Sequence, residues 1–246
     1  MYEERKYRKW VKHDDLLAFE VVDEETDLLI SCKSEYYELS FLSHESMASV
    51  SLYRRQIKDY IAKNRKFLTT FEPMEVEDNA PEIVKDMAKA ASIAGVGPMA
   101  AVAGAISEFV GRDLLRLSDE IIVENGGDIF IKASSDRLMG IYASESPFTG
   151  RLGIRISPEQ TPTGICTSSG TVGHSISFGK ADAALVISKW TALADAVATA
   201  TGNIAKTQDD IQKAVDFARS INGVDGVIVI MGSKIGIWGS IELVRA

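Results

Sequence analysis

The segment Thr163–His174 concentrates side chains that can bind or attack a ligand. Its twelve positions hold five hydroxyl residues, three glycines, Cys166 and His174. Many hydrogen-bond donors on a flexible backbone are typical of loops that cradle an oxyanion or a phosphate. The segment is not a P-loop, because no Gly-Lys-Ser or Gly-Lys-Thr follows it. We predict a ligand-binding loop whose contacts come from Thr167, Ser168, Ser169 and Gly170.

Cys166 allows two interpretations. Most lone cysteines are inert core residues. A thiol that lies beside glycine and hydroxyl residues and faces a helix N-terminus can instead have a lowered pKa and act as a nucleophile. The other cysteine of the chain, Cys32, lies in a predicted strand and is the weaker candidate for such chemistry.

A second segment, Glu124–Asp128, reads Glu-Asn-Gly-Gly-Asp between two predicted strands. It is a Gly-Gly hairpin turn in one interpretation. In the other, Gly126 and Gly127 let backbone N–H groups approach a ligand, and Asn125 and Asp128 hydrogen-bond to it. The sequence leaves both interpretations open.

A third segment, Thr191–Thr201, is a helix built mainly from alanine and threonine around Asp195. Asp195 and Thr199 are four residues apart, so they share one face of the helix. A carboxylate on an apolar, packed face needs a partner, which is a cation, a helix N-terminus or a hydrogen-bond network. Carboxylate and hydroxyl oxygens suit Mg²⁺, so Asp195 and Thr199 are the predicted metal ligands, with a purely structural Asp195 as the alternative.

The elements that must position these residues indicate an α+β fold. The first eighty residues predict a charged arm, a hairpin around Asp23–Glu25 and a helix from Glu45 to Arg65. A helix over Pro81–Ala94 follows, and Gly95 and Gly97 break it before Pro98 starts a helix of small residues. We expect that second helix to be buried against a sheet.

From Asp119 the chain predicts short antiparallel strands separated by glycine or proline. The strand-like stretches include DIFIKA, LGIRIS, SISFG and AALVIS, and two or three more strands end the chain. Helices over Thr191–Thr201 and Asp209–Ser220 are grouped between them. No linker is apparent, so residues 1–246 are expected to form a single domain.

The overall charge excludes several classes of function. The chain has 246 residues, with 27 Lys and Arg against 35 Asp and Glu, which gives a net charge of −8. Such acidity disfavours binding to nucleic acid or to an anionic membrane. The charged N-terminus has no apolar segment typical of a signal peptide, and two cysteines fit a reducing environment, so a cytoplasmic location is expected.

Taken in order, the three segments resemble the ApbE-like superfamily, which includes FAD-dependent protein FMN transferases. The matching motifs are ENGGDI, TSSG over Thr167–Gly170 and ADAVAT over Ala194–Thr199. The resemblance implies an ApbE-like, T-fold-related architecture of antiparallel or mixed sheets covered by helices. It also implies that Asp195 and Thr199 hold Mg²⁺ against FAD, and that FMN is transferred to a partner protein. A lysine that the transferases carry is missing from Ala103–Val110.

The sequence is more similar to an uncharacterised cytoplasmic branch of archaea and anaerobic bacteria, which has the run CTSSGTVGHSxSFGxADA. That resemblance implies an alternative function, the transfer of sulfide sulfur into homocysteine. Cys166 would then be the sulfur carrier or nucleophile and His174 its acid–base partner. A non-catalytic ligand-binding module is the third hypothesis. A homodimer is expected only from the general frequency of symmetric oligomers.

Overall fold

The computed structural model describes residues 8, 15–34, 36–170 and 179–245. Along the chain, groups of helices alternate with groups of strands. The helices are α1 (Leu39–Lys63), α2 (Lys66–Thr69), α3 (Glu82–Ala94), α4 (Val102–Leu114), α5 (Thr191–Ile204) and α6 (Ile211–Ser220). The strands are β1 (Leu17–Asp23), β2 (Thr26–Cys32), β3 (Ile121–Asn125), β4 (Asp128–Lys132), β5 (Arg137–Gly140), β6 (Leu152–Ile156), β7 (Thr163–Ser168), β8 (Ala183–Ser188), β9 (Val224–Met231), β10 (Lys234–Gly239) and β11 (Glu242–Arg245).

The strands form two antiparallel sheets. The main sheet has eight strands in the order β1-β2-β3-β4-β7-β8-β9-β10, and the small sheet has three in the order β11-β6-β5. In the main sheet, β4 pairs with β7, which is not the next strand along the chain. The two strands between them, β5 and β6, form the small sheet together with β11 from the end of the chain. The expected α+β class with antiparallel sheets is confirmed.

Both faces of the main sheet are covered, so the core has two parts. Val227 and Val229 of β9 pack in the cluster that contains the helices. Their neighbours Ile228 and Ile230 pack in a second cluster with Ile154 of the small sheet. Successive side chains of a strand point to opposite faces. The molecule is therefore layered, with helices on one face of the main sheet and the small sheet on the other.

Several boundaries follow from local chemistry that the sequence shows. The hairpin at Asp23–Glu25 is confirmed, since β1 and β2 pair from Leu17 with Cys32 to Asp23 with Thr26. Helix α3 begins after Pro81 and ends at Gly95, which adopts the left-handed conformation with φ of 72°. Only glycine adopts that conformation without steric cost, and glycine is the usual residue there. A 3₁₀ turn at Pro98–Ala101 then leads into α4.

One expected loop is instead a strand. Thr163–Ser168 forms β7, which pairs with β4 on one side and with β8 on the other. Its hydroxyl groups suggested a loop, but the Thr163 hydroxyl donates to the Ser188 carbonyl of the neighbouring strand at 3.0 Å. The predicted strand SISFG and His174 fall mostly or wholly within residues 171–178, outside the described residues.

Among the helices described, none is by itself long and apolar enough to cross a membrane. The pair formed by Glu82–Ala94 and Pro98–Leu114 passes that test only jointly, and it is bent by 104° at the break. Both helices contribute residues to the helical core cluster, including Met87 and Val110.

Candidate functional site

The hairpin between β3 and β4 has two glycines at its turn. Asn125 pairs with Asp128, so Gly126 and Gly127 are the only turn residues, with φ of 66° and 102°. A two-residue turn with positive φ at both positions is the geometry that favours glycine. The Glu124 carboxylate accepts the Gly127 N–H at 2.8 Å and fixes the turn. The hairpin interpretation is confirmed, and ligand contacts from this turn stay a prediction.

Arg8 lies beside this hairpin, a position that the sequence did not indicate. Its guanidinium donates from Nε to Glu124 at 2.6 Å and from Nη1 to Asp27 at 2.7 Å. All three side chains are at most 9 % exposed. Arg8 and Glu124 are 116 residues apart, so no local spacing in the sequence relates them.

Helices α4 and α5 each place a carboxylate at the start of the other. Asp195 of α5 accepts the Gly104 N–H in the first turn of α4 at 2.8 Å. Glu108 of α4 accepts the Thr191 N–H at the start of α5 at 2.7 Å. A helix N-terminus has unpaired N–H groups and attracts negative charge. The partner of Asp195 is therefore a helix N-terminus, which is one of the three kinds of partner predicted from the sequence.

A close helix contact makes this exchange of carboxylates possible. A Cβ atom on Gly104 would lie 2.7 Å from the Asp195 Cβ and from the Thr191 carbonyl oxygen. At Gly164 of β7, a Cβ atom would lie 2.5 Å from the Thr191 Cα. The small residues of α4 and β7 therefore let α4, α5 and the sheet approach, as the composition of α4 predicts.

Asp128 and Asp195 are two buried acidic residues on the same part of α4, where the Ser107 hydroxyl donates to the Asp128 carbonyl oxygen and the Gly104 N–H donates to the Asp195 carboxylate; we call them the carboxylate pair. Each side chain belongs to a residue that is 8 % exposed. Burial, followed by the charge of Asp195, raises the pKa of Asp128 well above its ordinary value. Burial raises the pKa of Asp195 to about 7, against the lowering effect of the N–H groups of Gly104 and Ala103. Pairs of buried carboxylates with raised pKa values are frequent at functional sites.

One oxygen of the carboxylate pair has no protein partner. Asp128 Oδ1 is buried and accepts no hydrogen bond from the described residues. The Thr191 hydroxyl, one helical turn before Asp195, is likewise buried without a partner there. In the described part of the chain, neither Asp128 nor Asp195 belongs to any of the ion pairs. Unpartnered buried polar atoms are rare and costly, so they mark a place where a ligand would be stabilised.

Cys166 lies next to the carboxylate pair but is buried with no exposed surface. Its thiol donates to the Thr191 carbonyl oxygen at 3.5 Å. Burial and then the negative charges of Asp128 and Asp195 raise the pKa of this thiol well above its ordinary value. Burial is the larger cause and the carboxylates add to it, so the structure does not support the lowered pKa that one interpretation of the sequence allowed. A nucleophilic Cys166 stays a prediction that this geometry does not favour.

The structure brings the three segments from the sequence analysis together. A Cβ atom on Gly127 would lie 3.7 Å from the Thr167 carbonyl oxygen, and one on Gly202 of α5 would lie 3.5 Å from the Ser168 hydroxyl. The Asn125 side chain donates to the Ala103 carbonyl oxygen at 3.3 Å. Thr199 is half-buried one turn beyond Asp195. Ser169 and Gly170 directly follow β7, and their ligand contacts remain untested.

The oxygen atoms of Asp128, Asp195 and Thr199 suit a hard cation better than a soft one. Within residues 8, 15–34, 36–170 and 179–245, no three His, Cys, Asp or Glu side chains are grouped as a metal-binding set. Mg²⁺ keeps several waters and uses one or two carboxylates together with substrate phosphates, so it does not need such a set. Asp195 and the unpartnered Asp128 oxygen therefore fit Mg²⁺, with Thr199 as the predicted hydroxyl ligand.

The layered arrangement defines an α+β protein with an ApbE-like fold. The fold is similar to the flavinyl transferase ApbE of Pseudomonas stutzeri in its apo form, with a TM-score of 0.60 over 92 % of this chain and 94 % of that one. It is also similar to the flavin transferase ApbE of Vibrio cholerae, with a TM-score of 0.53 over 92 % and 97 % of the two chains. Sequence identities of 15 % and 13 % mean that these similarities show the fold alone.

The family described as AbpE bacteria matches residues 8–237, and this chain belongs to it. A UPF0280 protein of Methanocaldococcus jannaschii is 44 % identical over 231 residues, which cover 92 % of both chains. A UPF0280 protein of Methanococcus aeolicus is 46 % identical over 193 residues, which cover 76 % of this chain and 78 % of the relative. The resemblance inferred from the three motifs is confirmed.

Proposed function

We propose that the protein binds a flavin nucleotide through a divalent cation and transfers its FMN part to an acceptor. The observation that carries this proposal is the buried carboxylate pair Asp128 and Asp195, in which one oxygen lacks a protein partner. Family membership and the ApbE-like fold support the choice of a flavin nucleotide over other phosphorylated ligands.

The residues of the site have separate roles in this proposal. Asp195 and Thr199 hold the cation, and Thr167–Gly170, at the end of β7 and just after it, bind phosphate. Asn125, Gly126 and Gly127 line the nucleotide, because a glycine backbone permits close approach. Bound Mg²⁺ would neutralise the pyrophosphate and polarise its phosphorus–oxygen bond. Asp128 and Asp195 form no ion pair with the described lysines and arginines, so a bound cation would offset the repulsion between these carboxylates and the nucleotide phosphates.

Nucleotide binding that depends on the cation tests the proposal. We expect FAD to bind the purified protein with Mg²⁺ present and to be lost when a chelator removes it. Thr199→Val keeps the side-chain shape and removes the hydroxyl, so it should weaken FAD binding about tenfold. Asp195→Asn should weaken it further and still accept the Gly104 N–H. The measurement is FAD fluorescence in a binding titration, followed by assay of AMP and protein-bound flavin with candidate acceptor proteins.

Asp113→Asn is the matched control for the loss of one charge. Asp113 lies at the other end of α4, where its carboxylate accepts a hydrogen bond from Ser49 at 2.6 Å. Its variant should bind FAD like the unmodified protein. Unchanged FAD binding in Asp195→Asn and in Thr199→Val would refute the proposed cation ligands, and binding without turnover would favour the non-catalytic module.

Sulfur transfer through Cys166 is the alternative hypothesis from sequence. It predicts a mass increase of one sulfur on the Cys166 peptide after anaerobic purification, and loss of homocysteine formation in Cys166→Ser. The complete burial of the thiol gives this alternative no support in the described conformation.

A further inference from the structure

We propose that Asp128 is a second carboxylate ligand of the divalent cation, so that the carboxylate pair takes up the cation before any nucleotide binds. This inference rests on the proposed function for the presence of a cation. It assigns to Asp128 a role different from the hydrogen bonding to ligand hydroxyls that its position in the hairpin suggested.

The first argument is that the structure holds both acidic residues in position. Asp128 is the first residue of β4 and pairs with Asn125, and its carbonyl oxygen accepts the Ser107 hydroxyl at 3.0 Å. Asp195 is fixed by the Gly104 N–H at 2.8 Å. The Asp195 carboxylate cannot turn away without losing its hydrogen bond to α4, and the hairpin fixes the backbone position of Asp128. Pre-positioned oxygens reduce the entropy that ligand binding costs.

The second argument is that the described residues supply no cationic partner for two buried acidic groups. Both residues are 8 % exposed, and α4 brings them together: its Gly104 N–H donates to the Asp195 carboxylate, and its Ser107 hydroxyl, about one turn later, donates to the Asp128 carbonyl oxygen. The described Lys and Arg side chains give them no ion pair, in contrast to Glu124, whose carboxylate pairs with Arg8. Buried charges are normally paired or coordinate a metal. A divalent cation between the two groups would satisfy the unpartnered Asp128 oxygen.

The third argument concerns the number of ligands. Two carboxylates match the number that Mg²⁺ usually takes from a protein, with water or phosphate completing its octahedron. Mn²⁺ accepts the same oxygen ligands and is paramagnetic, so it can report occupancy directly. The site therefore needs no third acidic side chain, in agreement with the absence of a larger metal-binding group among the described residues.

The test is a titration of the full chain with Mn²⁺ in the absence of nucleotide. Binding is measured as the decrease in the electron paramagnetic resonance signal of free Mn²⁺. We expect one site in the unmodified protein. Loss of even an outer partner of a metal ligand weakens affinity about 10–100-fold, so Asp128→Asn should weaken Mn²⁺ binding at least about tenfold. Asp195→Asn should have a similar effect, and Asp113→Asn should have none.

Different results separate this inference from the proposed function. Normal Mn²⁺ binding in Asp128→Asn, with weak binding in Asp195→Asn, would overturn the role of Asp128 and leave the proposed function intact. Absence of Mn²⁺ binding to the unmodified protein would overturn uptake before the nucleotide, while FAD binding in the presence of Mg²⁺ would still test the function. If Asp128→Asn does not fold, Asp128→Glu keeps the charge and displaces the oxygens, and we expect it to weaken Mn²⁺ binding as well.

Discussion

Asp86 is an acidic side chain outside the site whose environment makes stability depend on pH. Trp190 donates a hydrogen bond from its indole Nε1 to Asp86 at 2.9 Å, just before α5 begins. Burial raises the pKa of Asp86 from 3.8 to about 6, and the nearby charge of Glu108 adds to the effect. The folded protein therefore holds a proton on Asp86 between about pH 4 and about pH 6 that the unfolded chain has lost.

The difference in bound protons between the folded and unfolded states decides whether stability rises or falls with pH. Because the folded state binds more protons, the free energy of unfolding must fall as pH rises through this window. Asp86→Asn cannot ionise, so we expect its stability relative to the unmodified protein to rise between pH 4 and pH 7. Urea unfolding at several pH values measures this. Asp59→Asn, on an exposed position of α1, controls for the charge, and parallel curves for Asp86→Asn and the unmodified protein would contradict the prediction.

At the scale of elements, α5 packs against α4 at Gly104 and against β7 and β8 at Gly202, and only the first of these contacts requires glycine. A Cβ atom on Gly104 would lie 2.7 Å from backbone and side-chain atoms of α5, which is shorter than any normal contact. A Cβ atom on Gly202 of α5 would meet its nearest atom at 3.5 Å, an ordinary contact. Both glycines lie in helices, where alanine is intrinsically preferred by about 1 kcal/mol.

Alanine substitution at these two glycines should therefore have opposite effects on the free energy of unfolding. We expect Gly104→Ala to destabilise the protein by about 1–3 kcal/mol, because α4 must move away from α5. Gly202→Ala should be neutral or stabilise it by up to about 1 kcal/mol. Chemical denaturation measures both. Equal effects in the two variants would mean that α4 and α5 do not pack as closely as described here.

Most helices and strands could be predicted from the sequence because their signals are local. Pro81 and Gly95 bound α3, and alternating apolar residues around Asp23–Glu25 predict the first hairpin. Strand β7 was missed because its hydroxyl residues and Gly164 are also typical of loops. The neighbouring strand supplies the Ser188 carbonyl that accepts the Thr163 hydroxyl, and that partner is visible only in three dimensions.

The motifs indicate the residues of the candidate site but only part of their contacts. They point to Asp128 and Asp195, and the structure buries both against α4. A helix N-terminus was one predicted kind of partner for Asp195, but neither its identity as the Gly104 N–H nor the contact of Arg8 with Glu124 could be predicted. These contacts join positions 91 and 116 residues apart, so no periodicity or spacing predicts them.

At the scale of the whole molecule, two separate cores on the main sheet explain why its strands are apolar at successive positions. Strands that are buried on both faces have continuous apolar runs instead of alternation. Ile30 of β2 belongs to the core beneath the helices, and Ile228 of β9 belongs to the core beneath the small sheet. Both are fully buried, whereas Ile237 of the edge strand β10 is 40 % exposed. The same residue type thus occurs in three environments.

Replacing each of these three isoleucines with alanine tests the layered architecture. A buried isoleucine truncated to alanine costs about 2–5 kcal/mol, since a cavity remains in addition to the lost burial. We expect that cost for Ile30→Ala and equally for Ile228→Ala, and about 1 kcal/mol or less for Ile237→Ala. The measurement is the midpoint and slope of denaturant unfolding. A closely packed layer leaves no room for relaxation around missing atoms. If Ile228→Ala therefore lowers the free energy of unfolding as little as Ile237→Ala does, the small sheet does not pack closely on the second face of the main sheet.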